Sequence, residues 1–339
     1  MTTEYFIFLA SFFLYILFFI QKKYNFCIDI VSKSEEHKLL LKSESNVPLS
    51  GSFYFFTIIA ILFYEYYFLE ILFTLCLFIL GLMSDLKITV SPKLRLFLQF
   101  LIIATFILFN RDLIILTNID QIDYLMNNSF LRILIVSFFF LVLINGYNFI
   151  DGVNLLCLLN FTIILFFVYL LQHHNIDIVL ANKIKLFILS FFIFITGNFF
   201  GKFFLGDGGI YGLSFFVGIL LVELSLNNNL VSPYFIANLF WYPAFENLFS
   251  IIRRISQQKK NYLPDNLHLH QILYKFFYKK KIFNKKYLLS SFIGIIINLY
   301  LLIMNSLGFL FYTNTKIQIF LILFSSVIYL YLYMKLKND

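Results

Sequence analysis

Gly197-Asn198-Phe199-Phe200-Gly201-Lys202-Phe203-Phe204-Leu205-Gly206-Asp207-Gly208-Gly209 is a polar hinge between two runs, near 183–200 and 209–226, that are apolar enough to be membrane spans. Glycine lets a backbone turn tightly and lets a ligand approach it. A lone carboxylate, Asp207, ringed by Gly206, Gly208 and Gly209 at the mouth of a membrane domain, is a candidate for holding a cation, or a phosphate through a cation. The plain alternative is an ordinary interspan loop. What the other loops on the same face carry decides between them.

Working outward, the chain has 339 residues, 61% hydrophobic and 21% aromatic, well above the roughly 45–50% apolar content of a soluble domain. The expected fold class is therefore all-α: a polytopic integral membrane protein, one membrane-embedded domain over residues 1–339. A span needs about 20 apolar residues. Candidate spans fall near 4–21, 49–64, 67–83, 93–110, 130–147, 154–172, 183–200, 209–226, 232–252, 286–304 and 317–335, about eleven transmembrane helices. The second and third are separated only by Glu65, Tyr66 and Tyr67. Merging them would invert everything downstream.

The net charge of +8 could mean nucleic acid in a soluble chain, but here it serves first as a topology signal. With eleven spans, 21 of the 26 Lys and Arg residues fall on one face, which includes Lys22, Lys23, Lys33, Lys38 and Lys42 and the whole 253–286 run. Arg111, Arg132, Lys183, Lys185 and Lys316 fall on the other. That division puts the N-terminus outside and the C-terminus inside, and leaves no need for a nucleic-acid partner. Cys27, Cys76 and Cys157 have neither metal nor redox spacing, and the first apolar run lacks the basic start and cleavage site of a signal peptide.

Five loops then share the inner face: 22–48, 84–92, 148–153, 201–208 and 253–285. The first ends Asn46-Val47-Pro48-Leu49-Ser50-Gly51, a bend into the next span. The second places Asp85 at the inner end of a span, with Lys87, Lys93 and Arg95 near enough to pair with it or to grip a phosphate, and Ser91-Pro92 forms a helix start. In the third, Asn148, Asp151 and Asn154 follow at i, i+3 intervals, one face of a helix. Such groups amid Phe, Leu and Ile line water or a ligand, or glue spans together. The fourth holds Lys202 and Asp207. Mg2+ prefers oxygen ligands, one or two carboxylates, waters and phosphate oxygens, which suits Asp207 helped by Asn148 or Asp151. In the fifth, His268 and His270 make a weak zinc pair and better donors to phosphate or sugar oxygens. The helix after them, with Ile272, Leu273, Phe276 and Phe277 set among Lys275, Lys279, Lys280 and Lys281, is basic and amphipathic and is expected to lie in the membrane surface.

Gly81 to Lys87 running into Ser91-Pro92-Lys93-Leu94-Arg95, then Asn145 to Gly152, Phe204-Leu205-Gly206-Asp207 and His268-Leu269-His270-Gln271 resemble, in that order, the polyprenyl-phosphate N-acetylhexosamine-1-phosphate transferase superfamily (glycosyltransferase family 4). The O-antigen and capsule branch fits better than the peptidoglycan one. The resemblance implies transfer of a sugar-1-phosphate from a UDP-N-acetylsugar to undecaprenyl phosphate in a bacterial inner membrane, with the active site facing the cytoplasm. It further implies Mg2+, with Mn2+ as a substitute, held by Asp207 and Asn148. Asp85, Asp151 and Asp207 would be the catalytic carboxylates; Lys87, Lys93, Asn148, Lys202, His268 and His270 would bind substrate. A homodimer is compatible with it. Two departures stand out: Ser84 where the family has a first acid of a pair, and Asn154 where an acid is common. Rival readings are a transporter or flippase using the intramembrane Glu223 and Glu246, and an inactive protein of the same fold.

Overall fold

The computed structural model describes residues 2–30, 46–88, 91–110, 117–174, 178–228, 230–257 and 267–338. Lys33, Lys38, Lys42, Arg111, Lys259 and Lys260 lie outside the described residues. The described chain is helical apart from one short ladder, in which β1 (Ile28–Ile30) runs antiparallel to β2 (Asn46–Pro48) and pairs Asp29 with Val47. Three-residue strands carry no alternation pattern long enough to be seen in a sequence.

The helices in order are α1 (Thr3–Tyr24), α2 (Ser50–Phe63), α3 (Phe68–Asp85), α4 (Pro92–Phe109), α5 (Asp120–Met126), α6 (Ser129–Ile150), α7 (Leu156–His174) and α8 (Ile178–Phe199). They continue with α9 (Gly206–Asn227), α10 (Pro233–Leu239), α11 (Trp241–Ser256), α12 (Leu269–Lys279), α13 (Lys286–Leu310) and α14 (Thr315–Asn338). Eight of them (α1, α3, α4, α6, α8, α9, α13 and α14) are long and apolar enough to cross a bilayer, and α2 and α7 are shorter apolar helices. This is an all-α, multi-pass membrane protein. The second and third apolar runs are separate helices, broken at Tyr64–Tyr66.

The ninth apolar run is not one rod. It is divided at Phe240 into α10 and α11. Pro243, in the first turn of α11, has no N–H to give to the preceding helix and its ring crowds the carbonyl four residues back. The result is that α11 turns Glu246, Asn247, Ser250, Arg253 and Arg254 inward, while Ile252 and Ile255 stay exposed. Ser91 does start a helix: its Oγ accepts the Leu94 N–H at 3.3 Å, with Pro92 at the first helical position.

Burial sorts the long helices. In α9, 83% of the apolar window is buried, against 17% in α1, 22% in α4 and 28% in α14, so α9 is the axis and the latter three lie at the periphery. Around α9 pack α3, α6 and α2. The α3–α9 crossing is tight because Gly81 faces Gly208, and a Cβ on Gly81 would sit 2.5 Å from the Gly208 Cα. Gly81→Ala is therefore expected to force these helices apart and to cost about 1–3 kcal/mol, the usual penalty of overpacking. Size-exclusion chromatography after a temperature ramp in detergent reads this as an earlier loss of the monodisperse peak than in wild type.

Candidate active site

The loops that the sequence assigns to one face are tied together by named hydrogen bonds. Phe204 N–H donates to Pro48 O, and Gly51 N–H to Phe204 O, both at 3.0 Å, joining the first loop to the fourth. Ser52 Oγ donates to Leu205 O at 3.0 Å and accepts the Gly209 N–H at 2.9 Å. Asn198 joins the third to the fourth: Oδ1 accepts the Leu155 N–H at 2.8 Å and Nδ2 donates to Phe203 O at 3.0 Å. The fifth meets the third where the His270 Nε2 lies against the Gly152 Cα, in the space a side chain there would need.

At the junction of the second and fourth loops, the end of α3 meets the start of α9. Asp85 Oδ1 accepts the Asp207 N–H at 2.9 Å and Oδ2 accepts the Gly208 N–H at 3.1 Å. A helix N-terminus leaves its first N–H groups without intrahelical partners and carries partial positive charge. Asp85 satisfies two of them from another helix. Gly206, at φ +76°, makes the turn that presents these N–H groups, and a Cβ there would approach Asp85 Oδ2 to 2.7 Å. The expected partner of Asp85, a nearby Lys or Arg, is thus replaced by backbone donors 122 and 123 residues away.

Arg95 pairs instead with Asp207. Its guanidinium lies 3.3 Å from Asp207 Oδ2 and 2.6 Å from Ser84 Oγ, and it also meets the Tyr211 hydroxyl. Ser84 Oγ donates to the same Asp207 oxygen at 2.7 Å. Where the resemblance expects an acid, Ser84 is a neutral link between the guanidinium and the carboxylate. Asp207 Oδ1 accepts no hydrogen bond from a described residue.

Asp151 caps α6 and is exposed, bonded to Cys157 Sγ and within electrostatic reach of Asp85. Asn148 is half-buried on the last turn of α6. Lys87, Lys93 and Lys202 are exposed on the loops that carry Asp85, Arg95 and Asp207. The i, i+3 pattern of the third loop holds for only part of its length: α6 ends at Ile150, Asp151 to Leu155 form a turn, and Asn154 is buried with its N–H given to Ser290 Oγ at 2.9 Å.

His268 and His270 stack with ring centroids 5.7 Å apart at the start of α12. His268 Nδ1 lies 2.9 Å from Glu246 Oε1. His270 is fully buried and neither ring nitrogen has a partner among the described residues. Burial, with His268 beside it, holds the His270 imidazole well below the ordinary value of 6.5, so it is neutral at physiological pH. The amphipathic helix expected after these histidines is α12, with Leu269, Ile272 and Tyr274 buried and Lys275, Lys279 and Lys280 outward.

A depressed imidazole has a definite pH signature. Below 6.5 the unfolded chain takes up a proton that the folded chain refuses, so stability falls as pH falls through that window. Wild type is expected to lose thermal stability between about pH 6.5 and 5 more steeply than His270→Gln, measured by unfolding in matched detergent buffers. Equal slopes would contradict a neutral buried ring.

The described donors fit a hard divalent cation. Asp207 offers an oxygen not engaged by hydrogen bonds, beside a second carboxylate, and Mg2+ completes its shell with water and substrate phosphate oxygens. Among the described residues no group of three or more His, Cys, Asp or Glu lies together, so a cage built from protein alone is not what they offer.

Compared with known families, residues 67–225 match the model described as Glycosyl transferase family 4. The matched segment contains Ser84, Asp85, Arg95, Asn148, Asp151 and Asp207; His268 and His270 lie beyond it. No curated protein matches the chain.

Proposed function

From residues 67–225 as a glycosyl transferase family 4 segment, a family of polyprenyl-phosphate sugar-phosphate transferases, we propose that the chain moves a sugar-1-phosphate from a UDP-N-acetylsugar to undecaprenyl phosphate, releasing UMP. The observation that carries this is the Asp85–Asp207–Arg95 cluster, linked through the Asn198 side chain to the turn that follows Asp151, against which His270 packs at Gly152. The lipid phosphate oxygen attacks the sugar-linked phosphorus of the donor, a new phosphorus–oxygen bond forms, and the bond to the uridine-linked phosphate breaks. That phosphate leaves as UMP, and the product is a sugar on a lipid diphosphate that can start a cell-surface polysaccharide such as O-antigen.

Two anions must meet, so electrostatics and positioning supply most of the acceleration. Asp207, helped by Asn148 or Asp151, would hold Mg2+, and the ion would offset charge on the phosphates. Lys87, Lys93 and Lys202 bind phosphate oxygens, and His268 and His270 contact the donor. Asp85 positions Asp207 and the first turn of α9. Both of its oxygens are engaged by N–H groups, which favours positioning over service as a base, and the lipid phosphate is already largely ionised near neutral pH. The Lys and Arg distribution supports a cytoplasmic position for this face.

The transporter reading rests on Glu223 and Glu246. Glu223 is bonded by Tyr67, and Glu246 by His268 and Tyr329, so both have structural partners. Purified protein with undecaprenyl phosphate, Mg2+ and a panel of UDP-N-acetylsugars is expected to release UMP with at least one donor. Inert donors alongside an active homologue in the same detergent would reject the transferase.

A further inference from the structure

Glu246 has no exposed surface, and each of its two carboxylate oxygens has a partner from another part of the chain. Its Oε1 faces His268 Nδ1 at 2.9 Å, and its Oε2 accepts the Tyr329 hydroxyl of α14 at 2.7 Å. Ser250, one turn along α11, lies 3.3 Å from the same Nδ1, and its Oγ also accepts from Arg253 at 3.3 Å. Arg253 in turn donates to Leu267 O at 2.6 Å and to the Tyr333 hydroxyl at 3.1 Å. The backbone on either side of His268 is fixed as well, because its own N–H meets Gln271 Oε1 at 3.3 Å.

An ionised carboxylate only accepts hydrogen bonds. An acceptor oxygen 2.9 Å from a ring nitrogen therefore needs the proton on Nδ1, and this leaves Nε2 as the nitrogen able to meet a ligand. Which nitrogen of a histidine works is commonly set by the bond its other nitrogen makes. We infer that Glu246, itself oriented by Tyr329, is a positioning residue: it fixes His268 as the Nδ1–H form and aims Nε2 at the UDP-sugar. This rests on the transferase reading for its kinetic consequence. The protonation pattern it requires does not.

The charged and titratable groups around the ring are Glu246 and Arg253 from α11, Tyr329 and Tyr333 from α14, His270 two residues on and stacked on it, and Arg254, whose guanidinium lies over the Phe149 ring. Phe149 packs against the His268 ring with centroids 5.3 Å apart. The ring therefore has little freedom to flip its nitrogens without breaking the Glu246 contact.

The test uses full-length protein in nanodiscs with 15N-labelled histidine, the His268 signal assigned by its loss in His268→Gln. Wild type is expected to carry the proton on Nδ1. Glu246→Gln is expected to move it wholly or partly to Nε2 and to raise KM for the UDP-sugar roughly ten-fold, with kcat and the KM for undecaprenyl phosphate little changed. Glu246→Asp should fall between the two. If Glu246→Gln does not fold, Tyr329→Phe serves in its place, with a displaced Nδ1 signal and a smaller rise in donor KM. An Nε2–H form in wild type overturns the inference, as do variants with unchanged nitrogen signals and unchanged donor KM. A wild-type protein with Nδ1–H in place that releases no UMP from any donor sinks the transferase reading and leaves the Glu246 contact standing.

Discussion

Asp207→Asn is expected to lower UMP release by roughly 10^2–10^3-fold, the scale on which losing one group that stabilises developing charge is felt, while the protein remains folded. The asymmetry follows from what each part of Asp207 touches. Its backbone N–H, which the substitution leaves alone, holds Asp85. An amide oxygen can still accept from Ser84 and Arg95 at the position of Oδ2. What disappears is the negative charge and the oxygen left open for a cation. The ion pair with Arg95 is partly exposed, with 24% and 28% of the two side chains accessible, so its loss costs only about 0–1 kcal/mol of stability. Thermal unfolding near wild type with activity nearly gone is the expected pair of results. A parallel fall of both would make Asp207 a structural residue.

Asp85→Ala is expected to show the opposite balance, losing stability and activity together. Removing this carboxylate strands the Asp207 and Gly208 N–H groups at the start of the most buried helix. Losing one capping acceptor costs about 0.5–2 kcal/mol, and here two donors share one acceptor group. Asp85→Asn keeps a single acceptor oxygen and turns the other position into a donor facing an N–H, so it should fall between wild type and Ala. Thermal unfolding and UMP release measured on all three proteins rank them. If Asp85→Asn is fully stable but inactive, Asp85 takes a direct chemical part rather than a positioning one.

Much of the fold was legible because membrane spans announce themselves by length and apolarity. Each apolar run is helical, and even the weak boundary at Tyr64–Tyr66 is real. The division of the ninth run at Phe240 was less visible. Pro243 was in plain view, but α11 shows its purpose only when Glu246, Ser250 and Arg253 are seen facing α14 and the His268 turn. The ladder joining Ile28–Ile30 to Asn46–Pro48 was too short to leave a pattern.

At the site, residue types were readable and partnerships were not. Polar groups at the ends of spans mark Asp85, Asp151 and Asp207 without any knowledge of the fold. Proximity in sequence suggested Lys87, Lys93 or Arg95 as the partner of Asp85, yet local spacing says nothing about a helix N-terminus more than a hundred residues on. Arg95 instead crosses to Asp207, and Ser84, a departure from the expected acid, becomes the link that holds the two. The role of Asn198 as the staple between two loops had no sequence signal beyond its place beside Gly197.

The central claim is that phosphorus moves with the sugar. UDP-N-acetylglucosamine carrying 32P only at the sugar-linked phosphate, incubated with protein, Mg2+ and undecaprenyl phosphate, tests it directly, as does the same label in whichever UDP-N-acetylsugar the donor panel shows to be used. The account predicts label in the lipid fraction and unlabelled UMP in the aqueous one, in equal amounts. Label retained in UDP while the sugar alone reaches the lipid would contradict it.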